Sequence, residues 1–175
     1  GAASATTTGS ASWDWSCTGT NGGSTASCSS TRLYAVSTAV ASGSGSISAS
    51  QNVAWSATPA FTVTPNAGWV VQSVSGCGGS LSGSTYTTGA VTAACSVSAT
   101  FVAIVNGACG TDHGTSTLAS PSAGLCTAGI ASGITAGNAA YDWNCAGTHT
   151  GTTASCSAAR LYAVSTSVAS GSGSI

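Results

Sequence analysis

Apolar positions recur at every second residue in several short runs. Tyr34, Val36, Thr38 and Val40 alternate with smaller residues, Cys95, Val97, Ala99 and Phe101 share one parity, and so do Tyr141, Trp143 and Cys145. A period of two places alternate side chains on one face of a strand, so each run reads as a strand with one buried face. Clusters of turn formers separate the runs. Ser42-Gly43-Ser44-Gly45 predicts that residues 34–40 fold back as a hairpin on Ser46-Ile47, and Pro65-Asn66-Ala67-Gly68 predicts a second strand pair between Phe61-Val63 and residues 69–74.

Composition strengthens the strand reading. Lys and Glu are absent, and only Arg32, Arg160, Asp14, Asp112 and Asp142 carry charge. A helix in water dresses its outer face with such residues, so an ordered chain of Ser, Thr, Gly and Val must be strand and turn. Low charge with few bulky apolar residues is also found in disordered chains, but the alternating runs and 8 cysteines argue for a fold. The expected class is all-β. The cysteines also point to an oxidising, extracellular setting, where disulfides replace a large core. No run of about 20 apolar residues spans a bilayer, and Gly1 does not open a signal peptide, so an export signal or anchor is expected outside these residues. A net charge of −1 gives no reason to bind nucleic acid or an anionic membrane surface.

The chain repeats itself. Cys17 and Cys145, like Arg32 and Arg160, stand 128 residues apart, and from Arg32 to Ile47 the copies differ only at Ala39 against Ser167. Upstream, Trp13 becomes Tyr141 and Asn21-Gly22-Gly23 becomes His149-Thr150-Gly151. Two compositions alternate within the period, defining modules A and B. Residues 1–31 are the back half of an A, 32–103 a whole B, 104–159 a whole A, and 160–175 the opening hairpin of another B. The joins are too short for floppy linkers, and the chain starts and stops inside units, as a window onto an array would.

Cys77 and Cys95 are the cysteines of module B and are natural partners; closing their loop should contribute about 3 kcal/mol. A thiol nucleophile or metal site would need a base or further ligands, and module B holds no His, Asp or Glu. Three stretches of the module, Tyr34-Ala35-Val36 with its glycine turn, Phe61-Thr62-Val63-Thr64-Pro65-Asn66-Ala67-Gly68-Trp69, and Cys95-Ser96-Val97-Ser98-Ala99-Thr100-Phe101, resemble the divergent internalin-type B-repeat of large bacterial surface proteins. The resemblance implies a small β-rich, grasp-like spacer with no catalytic residues.

In module A, Cys109, Cys126, Cys145 and Cys156, with Trp143-Asn144-Cys145 and Ala154-Ser155-Cys156-Ser157, resemble a short four-cysteine repeat of bacterial secreted proteins. A compact disulfide-linked sandwich or meander is expected, with Trp143, and Trp15 in the first copy, in the core. Two connectivities are open. A hairpin centred between Thr150 and Gly151 would join Cys145 to Cys156 and leave Cys109 for Cys126. One centred on Thr135 and Ala136 would join Cys126 to Cys145 and leave Cys109 for Cys156. Under the first scheme Cys17 bonds Cys28; under the second both lose their partners. Tetrahedral zinc is disfavoured because the paired C-x₂-C knuckles are missing, and His113 and His149 read as solvated turn residues.

Three aspartates and two dispersed histidines offer little from which to assemble a hydrolytic site, so no catalysis and no cofactor are expected. The equal spacing of Asp14 from Arg32 and of Asp142 from Arg160 suggests a structural ion pair at each A/B junction. The expected role is architectural, in a bacterial extracellular fibre or surface stalk. An almost uncharged surface with exposed β edges would also favour self-association into filaments. The competing role is an adhesin, with Trp55 and Trp69, and beside them Trp13 or Tyr141, stacking on glycan rings if they are exposed in a row.

Overall fold

The computed structural model describes residues 1–167 and is all-β, with no helix among them. Two compact units part at Ala103/Ile104. The first joins the half module 1–31 to module B; the second contains module A and the start of the next repeat.

Module B packs two sheets around one core. The first runs, in spatial order, Gln51–Ala54, Leu33–Ser42, Cys95–Ala103, Trp69–Gly76, and the second Gly45–Ile47, Ala60–Pro65, Thr85–Thr87, Ser80–Ser82. The predicted alternation produces the burial: Tyr34 and Val36, then Phe61 and Val63, then Tyr86, then Val97, Ala99 and Phe101 form a single buried cluster. At the centre of the first sheet Leu33–Ser42 lies parallel to Cys95–Ala103, with Val36 beside Cys95. Its buried face is covered by the second sheet rather than by a helix.

Neither predicted hairpin forms. Leu33–Ser42 pairs with Gln51–Ala54 and Cys95–Ala103, while Gly45–Ile47 pairs with Ala60–Pro65 in the opposite sheet. Likewise Ala60–Pro65 and Trp69–Gly76 lie in different sheets. Both turn clusters are therefore corners that carry the chain between layers. Phe101 explains the first corner: Gly43 (φ +81°) sits on its carbonyl and Gly45 on its ring, and a Cβ at either position would overlap it. Gly45→Ala is therefore expected to destabilise the first unit by at least about 2 kcal/mol through overpacking, read as a lowered denaturant midpoint.

The half module is a small antiparallel sheet of Thr7–Thr8, Ser12–Cys17 and Ala26–Thr31. Its counterpart in the second unit sets Thr135–Ala136 and Ile130–Ala131 along Ala140–Ala146, which pairs with Ala154–Arg160, edged by Ser116–Thr117. A ribbon of Ala108–Cys109 and Cys126–Ala128 completes the module. The two hairpins match residue for residue: Trp15 opposes Cys28 as Trp143 opposes Cys156, and Cys17 opposes Ala26 as Cys145 opposes Ala154. Beyond Arg160 the expected opening strand is not formed. Residues 161–167 form no strand, although Leu161 N–H still donates to Thr117 O at 2.8 Å, and the remainder of that predicted hairpin lies outside the described residues. In the first copy this strand depends on Cys95–Ala103 and Gln51–Ala54, far along the chain.

The hairpin turns show what the sequence difference between copies costs. Gly23 and Gly151 each donate a backbone hydrogen bond at 3.0 Å, to Thr20 O and Thr148 O. The central pairs are left-handed, at φ 52° and 84° for Asn21-Gly22 and 53° and 70° for His149-Thr150. Asn-Gly suits such a turn, but a β-branched threonine does not. Thr150→Gly is expected to stabilise the second unit by about 1 kcal/mol, measured as a raised denaturant midpoint.

Candidate functional site: the junction and the sulfur core

The backbone makes the same corner in both copies. Gly9 N–H bonds Ser12 O at 2.9 Å and Gly137 N–H bonds Ala140 O at 2.8 Å; Arg32 N–H bonds Ala11 O and Arg160 N–H bonds Ala139 O, each at 2.9 Å. This places the arginine at the end of the hairpin, beside the corner it has just left.

Each guanidinium then lies between two aromatic rings. Arg32 stands 5.3 Å from the Trp13 ring and 5.0 Å from that of Tyr34; Arg160 stands 5.5 Å from Tyr141 and 5.1 Å from Tyr162. One N–H of each donates to the corner carbonyl, Gly9 O at 3.1 Å and Gly137 O at 2.9 Å. The tyrosine two residues after each arginine donates its hydroxyl to the next carbonyl, Tyr34 to Ser10 O at 2.7 Å and Tyr162 to Asn138 O at 2.6 Å. Tyr162 makes this bond although its ring is exposed and Tyr34 is buried. The clamp is thus encoded locally and does not require a finished module B.

The expected Asp–Arg ion pair is not what holds this joint. Arg32 and Arg160 spend their contacts on rings and carbonyls, and Asp14 instead accepts a hydrogen bond from the Ser12 hydroxyl at 2.7 Å. The physical reason is planarity: a guanidinium between two rings satisfies its charge through their π faces while its edge reaches a carbonyl. Asp142→Asn should accordingly change unfolding free energy by less than about 0.5 kcal/mol, the range of a neutral surface substitution.

Sulfur organises the cores. Cys77 is bonded to Cys95, with Cα atoms 5.6 Å apart. In module A the bonds are Cys109–Cys156 and Cys126–Cys145, the second of the two open schemes. The hairpin register explains the choice. The turn is centred between His149 and Thr150, one position earlier than the first scheme needs, so Cys145 faces Ala154 and Cys156 faces Trp143. Cys126 is not delivered by a hairpin around Thr135 and Ala136 as that scheme supposed, but by the ribbon with Ala108–Cys109. The two disulfides lie side by side, with Cys145 Sγ 3.6 Å from Cys156 Sγ. Trp143 covers them and donates its indole N–H to Leu125 O at 2.8 Å. In the first copy Cys17 and Cys28 are unbonded, 3.8 Å apart. Hydrogen bonding to Cys17 pushes the Cys28 thiol above its ordinary value, with desolvation and the Cys17 charge adding to the shift.

His113 stands near Cys109 and Cys156, a grouping with metal-ligand chemistry. Their sulfurs are joined to each other, and His113 Nδ1 accepts the Ser157 N–H at 3.0 Å. His113 therefore ties its loop to the sheet rather than being merely solvated; His149 is an exposed turn residue.

The candidate glycan contacts separate. Trp55 is 37% exposed and lies against Tyr34, ring centroids 5.9 Å apart, in an open cleft of about 600 Å³ that Arg32 also lines. Trp69 packs on the core beside Ala103, at the opposite end of Cys95–Ala103 from the Tyr34 side. They form no row. Sequence reasoning picked out Arg32 and Arg160 but not Tyr34, Tyr162, Gly9 and Gly137 as their partners, although all four recur at the repeat spacing. Comparison with family models, curated proteins and solved structures finds no match to this chain.

Proposed function

We propose that this chain is a structural stretch of a tandem-repeat array in a bacterial extracellular fibre or surface stalk, with two-sheet B spacers alternating with disulfide-rich A modules. The observation that carries the reading is the junction. Arginine, aromatic pair and carbonyl acceptors return at a spacing of 128 residues with distances matched to within about 0.2 Å. A joint rebuilt so closely where the flanking residues differ is what serial mechanical connection requires. Three disulfides suit an oxidising compartment, which agrees with an extracellular placement. Catalysis and cofactors have no part in this reading, and the partners are other copies of the array, end to end or side by side.

Immunogold electron microscopy of intact source cells, with an antibody raised against this chain, tests it. Label on filaments or projections away from the envelope is the expected result; label confined to the cell interior would overturn it. Regular helical order in the labelled filaments would mark a polymer rather than a single-chain stalk. A second reading, glycan adhesion, draws on the Trp55 cleft. It predicts glycan-array binding that is lost in Trp55→Ala and retained in Trp69→Ala.

A further inference from the structure

Tension along an array passes through each module by way of its first and last strands, so the relation between those two strands decides how the module yields. In module B the chain enters by Leu33–Ser42 and leaves by Cys95–Ala103, and these strands lie side by side and parallel. Leu33 and Ala103 therefore stand at opposite ends of one ladder, which runs from Cys95 beside Val36 to Thr100 beside Ser42. A pull on both ends slides the strands past each other along their length, and the hydrogen bonds of the ladder are loaded together. Antiparallel first and last strands would put both points of pull at one end of the ladder, where the bonds open one after another.

Three features resist that slide. On the inner face Val36, Val97 and Ala99 are fully buried, so the strands cannot shift without dragging apolar side chains through a packed core. On the outer face the hydroxyls of Ser37 and Ser96 share a hydrogen bond at 2.8 Å across the ladder. The third feature is the bond between Cys77 and Cys95. Trp69–Gly76 flanks the last strand on its other side and runs antiparallel to it, with Ala103 beside Trp69 and Val97 beside Gly76. The disulfide joins the end of that neighbour to the trailing end of the last strand, so Cys95–Ala103 cannot be drawn out along it and the two move as one piece. Tyr86, in the opposite sheet, donates its hydroxyl to Gly76 O at 2.6 Å and holds the same end. The ladder to Leu33–Ser42 is what remains to yield.

We infer that module B is a mechanical clamp with a covalent stop. The parallel ladder carries tension in shear, and the Cys77–Cys95 bond limits what is released when the ladder gives way, because the 18 residues of sequence it spans stay outside the loaded path. Extended chain measures about 3.3–3.6 Å per residue, so the bond withholds about 60 Å from each module that yields. The clamp deepens the array reading, on which it rests only for the source of the tension.

Single-molecule pulling of the whole chain, with its three disulfides intact, tests this. Held by its two termini, the chain loads the ladder in shear. Held by its N-terminus and by a linker clicked onto an azide-bearing residue in place of Ala93, exposed just ahead of Cys95, it loads the same ladder from one end. Bonds that break together resist more than bonds that break singly, so at one pulling speed the first geometry should need at least about twice the force of the second. The 47 residues of sequence spanned by Cys109–Cys156 stay outside the loaded path, so the second unit adds only a short step to the record. Replacing Cys77 and Cys95 together by Ala should lengthen the module B step by about 60 Å and lower its force, since Cys95–Ala103 is then free to slide along Trp69–Gly76. Equal forces in the two geometries of the parent chain, or a step of unchanged length in the double variant, would each overturn the clamp. If the double variant does not fold, the two geometries of the parent decide alone. Greater resistance in shear by a chain that immunogold finds inside the cell would strike the surface reading and leave the clamp standing. Label on projections together with equal forces would do the reverse.

Discussion

Replacing Cys109 and Cys156 together by Ala is expected to unfold the second unit and leave the first folded. Among the described residues, the buried cluster of the second unit is Trp143, Cys145, Cys156 and Ala158, with Cys109, Leu125, Cys126, Ile134 and Ala154 packed around it. Cysteine sulfur is thus much of the core as well as its cross-link. The bond spans 47 residues of sequence, for which the loop-entropy model gives about 4 kcal/mol. That is of the order of the whole stability a small core supplies, about 3–5 kcal/mol. The first unit has nine buried residues in one cluster and its own Cys77–Cys95 bond, so it should persist. Hydrogen exchange separates the outcomes: amides of Ala140–Ala146 and Ala154–Arg160 should lose protection while those of Cys95–Ala103 keep it. Protection retained in both strands would mean that packing, not sulfur, stabilises the module.

Local order was legible in the sequence and pairing was not, for a physical reason. Alternation at Tyr34 and Val36, or at Tyr141, Trp143 and Cys145, depends only on which face of a strand meets the core, and each of these residues is buried. Which strand lies next to which depends on packing between layers. A glycine-rich turn looks the same to a periodicity argument whether it closes a hairpin or carries the chain across a sandwich. The difference at Gly43 and Gly45 is made by Phe101, more than fifty residues away in the chain. Disulfide connectivity turned on a similar subtlety. A shift of one position in the turn, which is centred between His149 and Thr150, set Cys145 opposite Ala154 rather than Cys156 and left both for partners in the ribbon.

The junction was legible only in part because charge was matched with charge. Asp and Arg at constant spacing suggest an ion pair, but at an exposed site such a pair contributes little, with a median of about 0–1 kcal/mol. An arginine flanked by Trp13 and Tyr34 gains from both rings and from Gly9 O without holding a long acidic partner in place. The signal available in the sequence was the recurrence of a tyrosine two residues after each arginine and a glycine 23 residues before it.

Arg32→Ala should therefore release the half module from module B within the first unit. Two cation–π contacts are worth about 0.5–1 kcal/mol each at partly exposed sites, and a charged hydrogen bond to a carbonyl about 1.5–3 kcal/mol. These share one group and do not add, so a loss of about 2–3 kcal/mol is expected. Because Trp13 belongs to the half module and Tyr34 to module B, the loss should appear as opening of the corner rather than as unfolding of the module B core. Backbone amides of Ser12–Cys17 and Ala26–Thr31 should exchange faster, while those of Leu33–Ser42 near Val36 remain protected. Arg32→Lys keeps the charge and one donor but not the planar stack, so it should recover less than half of the loss. Tyr34→Phe should cost about 1 kcal/mol through the bond to Ser10 O alone. If Arg32→Lys matched the parent while Asp14→Asn reproduced the alanine defect, net charge rather than ring stacking would govern the joint.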